Sequence, residues 1–248
     1  MDTTSRPLEL VGNQPIDCAC VIHGNAYSWT YVERLYNMLN RNINTGIRFH
    51  VYTEADRPVP APWIKHALTD WKISGPKKSW WYKMQLFNSA HYAGPLLYFD
   101  LDVVIVNNLD WVKNLPLNYF WTIRDFKYLW RPTHHGINSS MMWWDTRNYQ
   151  HIWDTFSRQK LQVIMRSHRG DQDYLTQAIN KNKRHFFDLD RVKSWRWQAL
   201  DGGFDFTRRM YQNPGAGTTF DDRTSILVFH GDPKPDKIND EKIVHYWQ

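Results

Sequence analysis

Two periods alternate through the first hundred residues, and that alternation limits the folds open to the chain. Residues 16–22 (IDCACVI) read as a buried strand. Behind the capping residue Ser28, the apolar positions Trp29, Val32, Leu35, Tyr36 and Leu39 recur at helical spacing. Residues 47–52 (IRFHVY) alternate like a second strand, and the proline-rich DRPVPAP at 56–62 reads as a loop. A further helix is predicted from Ser79 through Trp80, Met84 and Phe87 towards Tyr92, stopped by Gly94-Pro95. The run LLYFDLDVVIV at 96–106 follows as one more strand. Strand and helix in turn call for parallel strands joined by crossover helices.

Beyond Asp110 the pattern loosens. Residues 120–123 and 137–144 read as strands, 147–158 and 171–180 as helices, and 225–230 (SILVFH) as a last short strand before the turn-rich GDPKPD. No internal repeat or long linker divides the chain. The expected fold class is α/β: a single domain over residues 16–235, its mostly parallel central sheet flanked by helices, between tails at 1–15 and 236–248.

Asp100 and Asp102 stand inside the 96–106 run, where an ordinary core strand stays apolar. Burying an unpaired carboxylate costs several kcal/mol, so a cation or hydrogen-bond donors must compensate. Parallel sheets bind ligands beyond the carboxyl ends of their strands, and Asp100 lies at such an end. Two hard oxygen donors there suit Mg2+ or Mn2+, which can also bind a diphosphate. The plainer alternative is a hydrogen-bonded turn with no ligand.

Charge and aromatic content add to this. The formal net charge of +6 fits an anionic partner: a nucleotide, nucleic acid or phosphorylated substrate. The chain carries 14 tryptophans, and the pairs Trp80-Trp81 and Trp143-Trp144 cannot both be buried on one strand face. Some are expected in a groove, against bases or sugars. Cys18 and Cys20, either side of Ala19, are expected to face opposite ways and stay unpaired. No stretch reaches the ~18 apolar residues of a membrane span. The N-terminal residues lack the basic and apolar regions of a secretory signal. A cytoplasmic protein without disulfides is expected, and a monomer.

Several motifs, in order, resemble those of GT-A-fold glycosyltransferases, closest to the retaining, glycogenin-like and galactosyltransferase group that uses nucleotide sugars. Over about residues 16–235 they are WWYKMQLF with Lys83, YFDLDVVIV with Asp100 and Asp102, INSSMMWWD with Asn138, GDQDYL at 170–175, and FHGDPKP at 229–235. Two departures are visible: Ser140 stands where the group has glycine, and His230 is only four residues before Lys234. Compact chains of this kind also occur in phages, which would place the protein in the host cytoplasm.

The resemblance implies a metal-dependent transfer of a hexose from a UDP-sugar, UDP-glucose or UDP-galactose, with retention. Residues 16–110 would form the nucleotide-binding half, and 111–235 the acceptor and catalytic half. Asp100, Asp102 and His230 would hold Mn2+ (or Mg2+). Lys83, Asn138 and Lys234 would contact the donor, and Tyr27 would stack on the base, with His23 and Asn25 near base or ribose. Asp171 and Gln172 would sit by the reacting sugar. The acceptor would be a saccharide or small molecule, or modified DNA if the chain is viral, and His134 and His135 would line its side.

Read without the family, His230 ends a strand, where an imidazole nitrogen can join carboxylates around a metal. Lys234, in a Gly-Pro-rich turn, can reach phosphate oxygens as a point charge. Asp171 could simply cap the helix that follows it. Two rival functions stand beside the transferase. In a haloacid-dehalogenase-type phosphatase, Asp100 would be the nucleophile, Asp102 the acid, and Asp221 and Asp222 metal ligands. A basic, aromatic-rich nucleic-acid-binding protein would rest on RVKSWRW at 191–197, the one stretch where basic and aromatic residues interleave.

Overall fold

The computed structural model describes residues 14–73, 79–202, 204–205, 210–211 and 217–248. Most of the 1–15 segment expected as a tail lies outside the described residues.

The central sheet has seven strands in the order β3-β2-β1-β4-β7-β6-β8. They are β1 (Ile16–Val21), β2 (Ile47–Thr53), β3 (Ile64–Ala67), β4 (Pro95–Phe99), β6 (Phe120–Arg124), β7 (Ile137–Asp145) and β8 (Arg184–Phe186). Only β7 runs against the rest, antiparallel to both β4 and β6. A second sheet joins β5 (Val103–Ile105), β12 (Ile226–Val228) and β9 (Val192–Ser194), in the order β5-β12-β9. A small hairpin pairs β10 (Phe204–Asp205) with β11 (Met210–Tyr211). The mostly parallel α/β sheet matches the expectation.

One strand expected to be continuous is not. The 96–106 run leaves the central sheet after Phe99, turns through Asp100, Leu101 and Asp102, and enters the second sheet as β5. A ladder position buried on both faces cannot hold two ionised carboxylates, and the turn takes both out of it. The aspartates thus mark the junction between sheets.

Two cores fill the faces of the central sheet. On one, α1 (Trp29–Asn42) packs Val32, Leu35 and Leu39 against Cys18, Cys20, Phe49 and Val51. Ser28 holds its N-cap position in extended conformation, although its hydroxyl makes no capping bond. Cys18 and Cys20 therefore share a face, with Ala19 on the other, as strand alternation requires. The expectation that they face opposite ways is corrected; both are buried and free.

On the other face lie the 3-10 helix Ser79–Phe87, α2 (Gln150–Ser157), α3 (Leu161–Ser167) and α4 (Asp171–Ala178). The helix expected from Ser79 towards Tyr92 ends at Phe87, and every residue from Trp81 to Phe87 is buried. It is an interior segment without a solvent face, which an amphipathic pattern cannot describe.

Three of the four paired tryptophans are core, and Trp80 is half-buried. Trp81, Trp143 and Trp144 are buried, and Trp143 and Trp144 point into opposite cores. A groove lined by both members of a pair is therefore not formed. Residues 236–248, expected as a tail, are packed as well. In α5 (Glu241–Tyr246), Ile243 is fully buried, and Trp247 follows it into the α1 core. The Arg34 guanidinium lies 3.8 Å over the Trp247 ring, and Arg41 donates to the carbonyls of Tyr246 and Gln248. Among the described residues, no helix is long and apolar enough to cross a membrane.

Candidate active site

The turn after β4 is stitched to three elements. The Asp100 amide donates to the Ser140 carbonyl at 2.8 Å, and the Phe229 amide donates to the Asp102 carbonyl at 3.1 Å. The turn thus rests on β7 on one side and on the end of β12 on the other.

Each aspartate has its own cation. The Lys83 ammonium, buried on the 3-10 helix, lies 2.8 Å from Asp100 Oδ1 and 3.4 Å from Asp171 Oδ2. Burial disfavours that ammonium, but Asp100 and Asp171 outweigh it and hold its pKa above the ordinary lysine value. Tyr98 also donates to Asp100, at 2.6 Å. Asp102 accepts from the Tyr27 hydroxyl at 2.9 Å and from the Lys234 ammonium, both on Oδ2. Burial and the nearby Asp100 still push the Asp102 pKa up, against the pull of Lys234 and Tyr27.

Asp171 does not cap its helix. It is the first residue of α4, yet its side chain turns inward and accepts from Ser139 at 2.5 Å. Burial raises its pKa, with Lys83 and Ser139 opposing. Asp173 instead accepts from the Arg169 amide at 3.1 Å, the local bond expected of a cap. Gln172 is half-buried, and its side chain makes no hydrogen bond among the described residues.

A bulge in β7 makes the Ser139 contact possible. Thr122 faces Met142, while the next residue of β6, Ile123, faces Asn138. Ser139, Ser140 and Met141 thereby lack partners on β6, although Met141 still pairs with Phe99 of β4, and the Thr122 hydroxyl holds the bulge through the carbonyls of Asn138 and Met141. Ser139 then accepts from Lys83 at 3.0 Å while donating to Asp171. Asn138 Oδ1 is used by the Ser140 amide at 2.9 Å, and its side-chain amino group makes no hydrogen bond among the described residues.

The loop after β1 supplies the opposite wall. Glu54 accepts from the Gly24 amide at 2.6 Å, and Arg57 ties Glu54 to the Gly24 carbonyl. The His23 ring stacks on Tyr82, with centroids 3.7 Å apart. Asn25 is exposed, without a hydrogen bond among the described residues. Tyr27 carries a pKa raised by burial and by Asp102, so its hydroxyl stays a donor.

His230 follows β12 and Phe229, its ring 4.2 Å from that of Trp197 and stacked on Phe126. Burial, and then the charge of Arg196, lowers its pKa to about 3, which keeps the imidazole neutral. Its Nε2 lies 2.7 Å from the Ser194 hydroxyl. Neutral imidazole and hard carboxylate oxygens are suitable donors for Mn2+ or Mg2+. Asp102 Oδ1 and His230 Nδ1 make no hydrogen bond among the described residues. Those residues do not, however, converge as three acidic, histidine or cysteine side chains around one point. The donor types fit a divalent cation; a finished cage is not built.

The rival readings fare differently. The Asp221 carboxylate accepts from Lys193 and from the Thr224 amide and hydroxyl, and the main-chain carbonyl of Asp222 accepts from the Asn107 side-chain amide. Both precede β12, whereas Asp102 meets the residue after it, so a phosphatase arrangement would need groups from opposite ends of that strand. In RVKSWRW, Trp195 is buried against Phe229, at a centroid distance of 4.7 Å. The basic-aromatic stretch is thus drawn into the fold. His134 pairs with Asp125 at 3.1 Å and His135 is exposed, so the two do not act together.

Lys83, Asp100, Asp102, Asp171, Tyr27 and Lys234 were all visible as candidates in the sequence, and all carry contacts within this arrangement. Ser139, Tyr98, Glu54 and Ser194 were not. The polar Asn138-Ser139-Ser140 run inside a strand that is otherwise largely apolar was the one signal for Ser139; the others depend on tertiary contacts.

No protein-family profile and no curated protein matches the chain. Solved structures do. The galactosyltransferase LgtC, in complex with donor and acceptor sugar analogs, superposes with a TM-score of 0.58 at 14% identity, over 94% of this chain and 95% of that one. GlyE of Streptococcus pneumoniae TIGR4 gives 0.64 at 14% identity, over 94% of this chain and 60% of GlyE. Mouse xyloside xylosyltransferase 1 gives 0.51 at 12% identity, over 88% of this chain and all of that one. At such identities likeness speaks for architecture alone, and the architecture is that of these enzymes: this chain has the GT-A glycosyltransferase fold.

Proposed function

We propose that this protein is a glycosyltransferase that moves a hexose from a UDP-sugar, UDP-glucose or UDP-galactose, to a saccharide or small-molecule acceptor. The observation that carries this is the placement of Asp100 and Asp102 beyond the carboxyl end of β4, where each meets a lysine from elsewhere in the chain. Three carboxylates (Asp100, Asp102 and Asp171) stand against two ammonium groups (Lys83 and Lys234), which leaves one negative charge if all are ionised. The local balance favours one more cation.

Asp100, Asp102 and His230 would hold Mn2+ or Mg2+, which supplies Lewis-acid charge to a bound diphosphate. Lys234 can exchange its contact with Asp102 for phosphate oxygens, adding fixed positive charge where the leaving group becomes more negative. Tyr27 presents a ring beside Lys234 for the base, 5.8 Å from the ammonium. Lys83, held by Asp100, Asp171 and Ser139, cannot leave without stranding buried carboxylates, so it acts as a fixed charge rather than a mobile one. The free amide of Asn138 is suited to a sugar hydroxyl, and Asp171 and Gln172 to the region of the anomeric carbon. Retention, which the resemblance implies, would have departure and attack on one face of the sugar.

Incubation with UDP-glucose or UDP-galactose and Mn2+, with UDP release followed and the product linkage read by proton NMR, tests the proposal. UDP release and an α-linked product are expected. A panel in which GDP- or CDP-sugars turn over and UDP-sugars do not would remove the donor assignment, and a β linkage would remove retention.

A further inference from the structure

Outside the site, several of this protein's basic side chains are answered by carboxylates. Arg48 pairs with Asp17, Arg57 with Glu54, Arg147 with Asp145, Lys193 with Asp221, and Arg223 with Asp188 and Asp190. Residues 155–170 (TFSRQKLQVIMRSHRG) gather basic side chains without such partners. They contain Arg158, Lys160, Arg166 and Arg169 and no acidic residue, in a chain whose whole excess is +6. All four are exposed, and among the described residues none is paired with a carboxylate.

At the centre of this stretch is α3. Ile164 is buried and anchors the helix, with Leu161 and Met165 half-buried beside it. Val163 points the other way and is 56% exposed, the largest value for a large hydrophobic among the described residues. Lys160, Val163 and Arg166 follow at intervals of three, so one outward face sets an aliphatic side chain between two cations.

We propose that this face docks the protein on an anionic lipid surface. Basic side chains would meet the headgroup phosphates while Val163 enters the boundary of the acyl chains. A nucleic acid or other polyanion is the competing partner for bare charge. Single-strand binding sites add exposed aromatics for stacking, and the aromatic of this stretch, Phe156, is buried. Aliphatic side chains ringed by arginine and lysine suit lipid better. Each basic residue near an anionic leaflet is worth about fivefold in affinity. Four support reversible, salt-sensitive attachment rather than permanent anchoring. Among the described residues, none of the four touches Lys83, Asp100, Asp102, Asp171 or Lys234, so attachment is separable from the site.

Flotation of the full chain with phosphatidylcholine vesicles, with and without phosphatidylglycerol, tests this. Binding is expected only to the anionic vesicles and is expected to fade with added salt. Combining Arg158→Gln, Lys160→Gln, Arg166→Gln and Arg169→Gln should weaken it about a hundredfold or more, and Val163→Ser should weaken it several-fold. Arg166→Glu alone serves if the combined variant folds poorly. Thermal melting of each variant should match the parent. Failure of the parent to bind anionic vesicles, or equal binding by parent and charge variants, overturns the proposal. So does retention of the parent on a DNA oligonucleotide, through the same residues, without vesicle binding.

Discussion

Asp102 and Lys234 meet as an ion pair although 132 positions separate them in the chain. The pair joins the turn between the two sheets to the loop after β12, so two distant motifs share one site. Under the proposed function, a nucleoside diphosphate that draws Lys234 to its phosphates would also free Asp102 for a cation, which would couple the two bindings. Lys234→Met is expected to weaken UDP binding about tenfold or more, as loss of a charge-assisted contact does. Calorimetric titration of the variant beside the parent measures it; parent-like affinity would return Lys234 to a purely structural pairing.

Ser139→Ala removes the hydroxyl that bridges Lys83 and Asp171. Hydrogen bonds to charged groups contribute about 1.5–3 kcal/mol, so turnover of the donor should fall about ten- to a hundredfold. UDP affinity should change little, because Ser139 contacts the lysine and aspartate rather than Asp102 or Lys234. A variant with parent-like turnover would show the bridge to be dispensable.

Acid should destabilise this fold progressively, with His66, His230 and Asp17 each contributing. Burial and the charges of His50 and His91 hold the His66 imidazole at about 4, against 6.5 unfolded. As pH falls from 6.5 to 4, the unfolded chain gains a proton that the folded chain refuses, and stability declines. Asp17 works from the other side: burial raises its pKa, but hydrogen bonds from His50 and Arg48 bring it down to about 2, against 3.8. Its contribution, about 2 kcal/mol, is complete above pH 3.8 and is lost as pH falls towards 2. Urea unfolding across this range should show stability falling from pH 6.5 downwards, and Asp17→Asn should reduce the loss below pH 3.8 while leaving the loss between 6.5 and 4 in place.

Trp247→Ala should cost about 3–5 kcal/mol, the usual range for emptying a large buried aromatic. The ring is 5% exposed and carries the Arg34 guanidinium above it. Denaturant unfolding reports the loss directly. A cost below about 1 kcal/mol would mean that the C-terminal segment docks without supporting the α1 core.

The sequence made the long elements legible because their burial is regular. β1 and β4 are nearly continuous apolar runs, β2 alternates, the second half of β7 is apolar, and α1 shows its inner face in Val32, Leu35 and Leu39. The short elements were hidden by their composition: IKHA in β3 is partly exposed, and RHF in β8 is half-buried. The break at Asp100 was hidden for the opposite reason, since both flanks are apolar and only the sheet partners differ. In the site, acidic and basic residues stood out against apolar neighbours. Ser139 did not, because its role comes from a bulge that period-two reading cannot see. The tryptophans misled for a related reason: adjacent rings on β7 serve two cores, and a sequence shows only that they are adjacent.

The central claim is that Asp100 and Asp102 form the donor-binding corner of a nucleotide-sugar site. Calorimetric titration of UDP into the protein with Mn2+, repeated with EDTA and with Asp102→Asn, tests it most directly. Saturable one-site binding with Mn2+, weakened at least about tenfold by EDTA and by the substitution, is the predicted result. Equal UDP affinity in all three titrations, or no UDP binding by the parent protein, would contradict it.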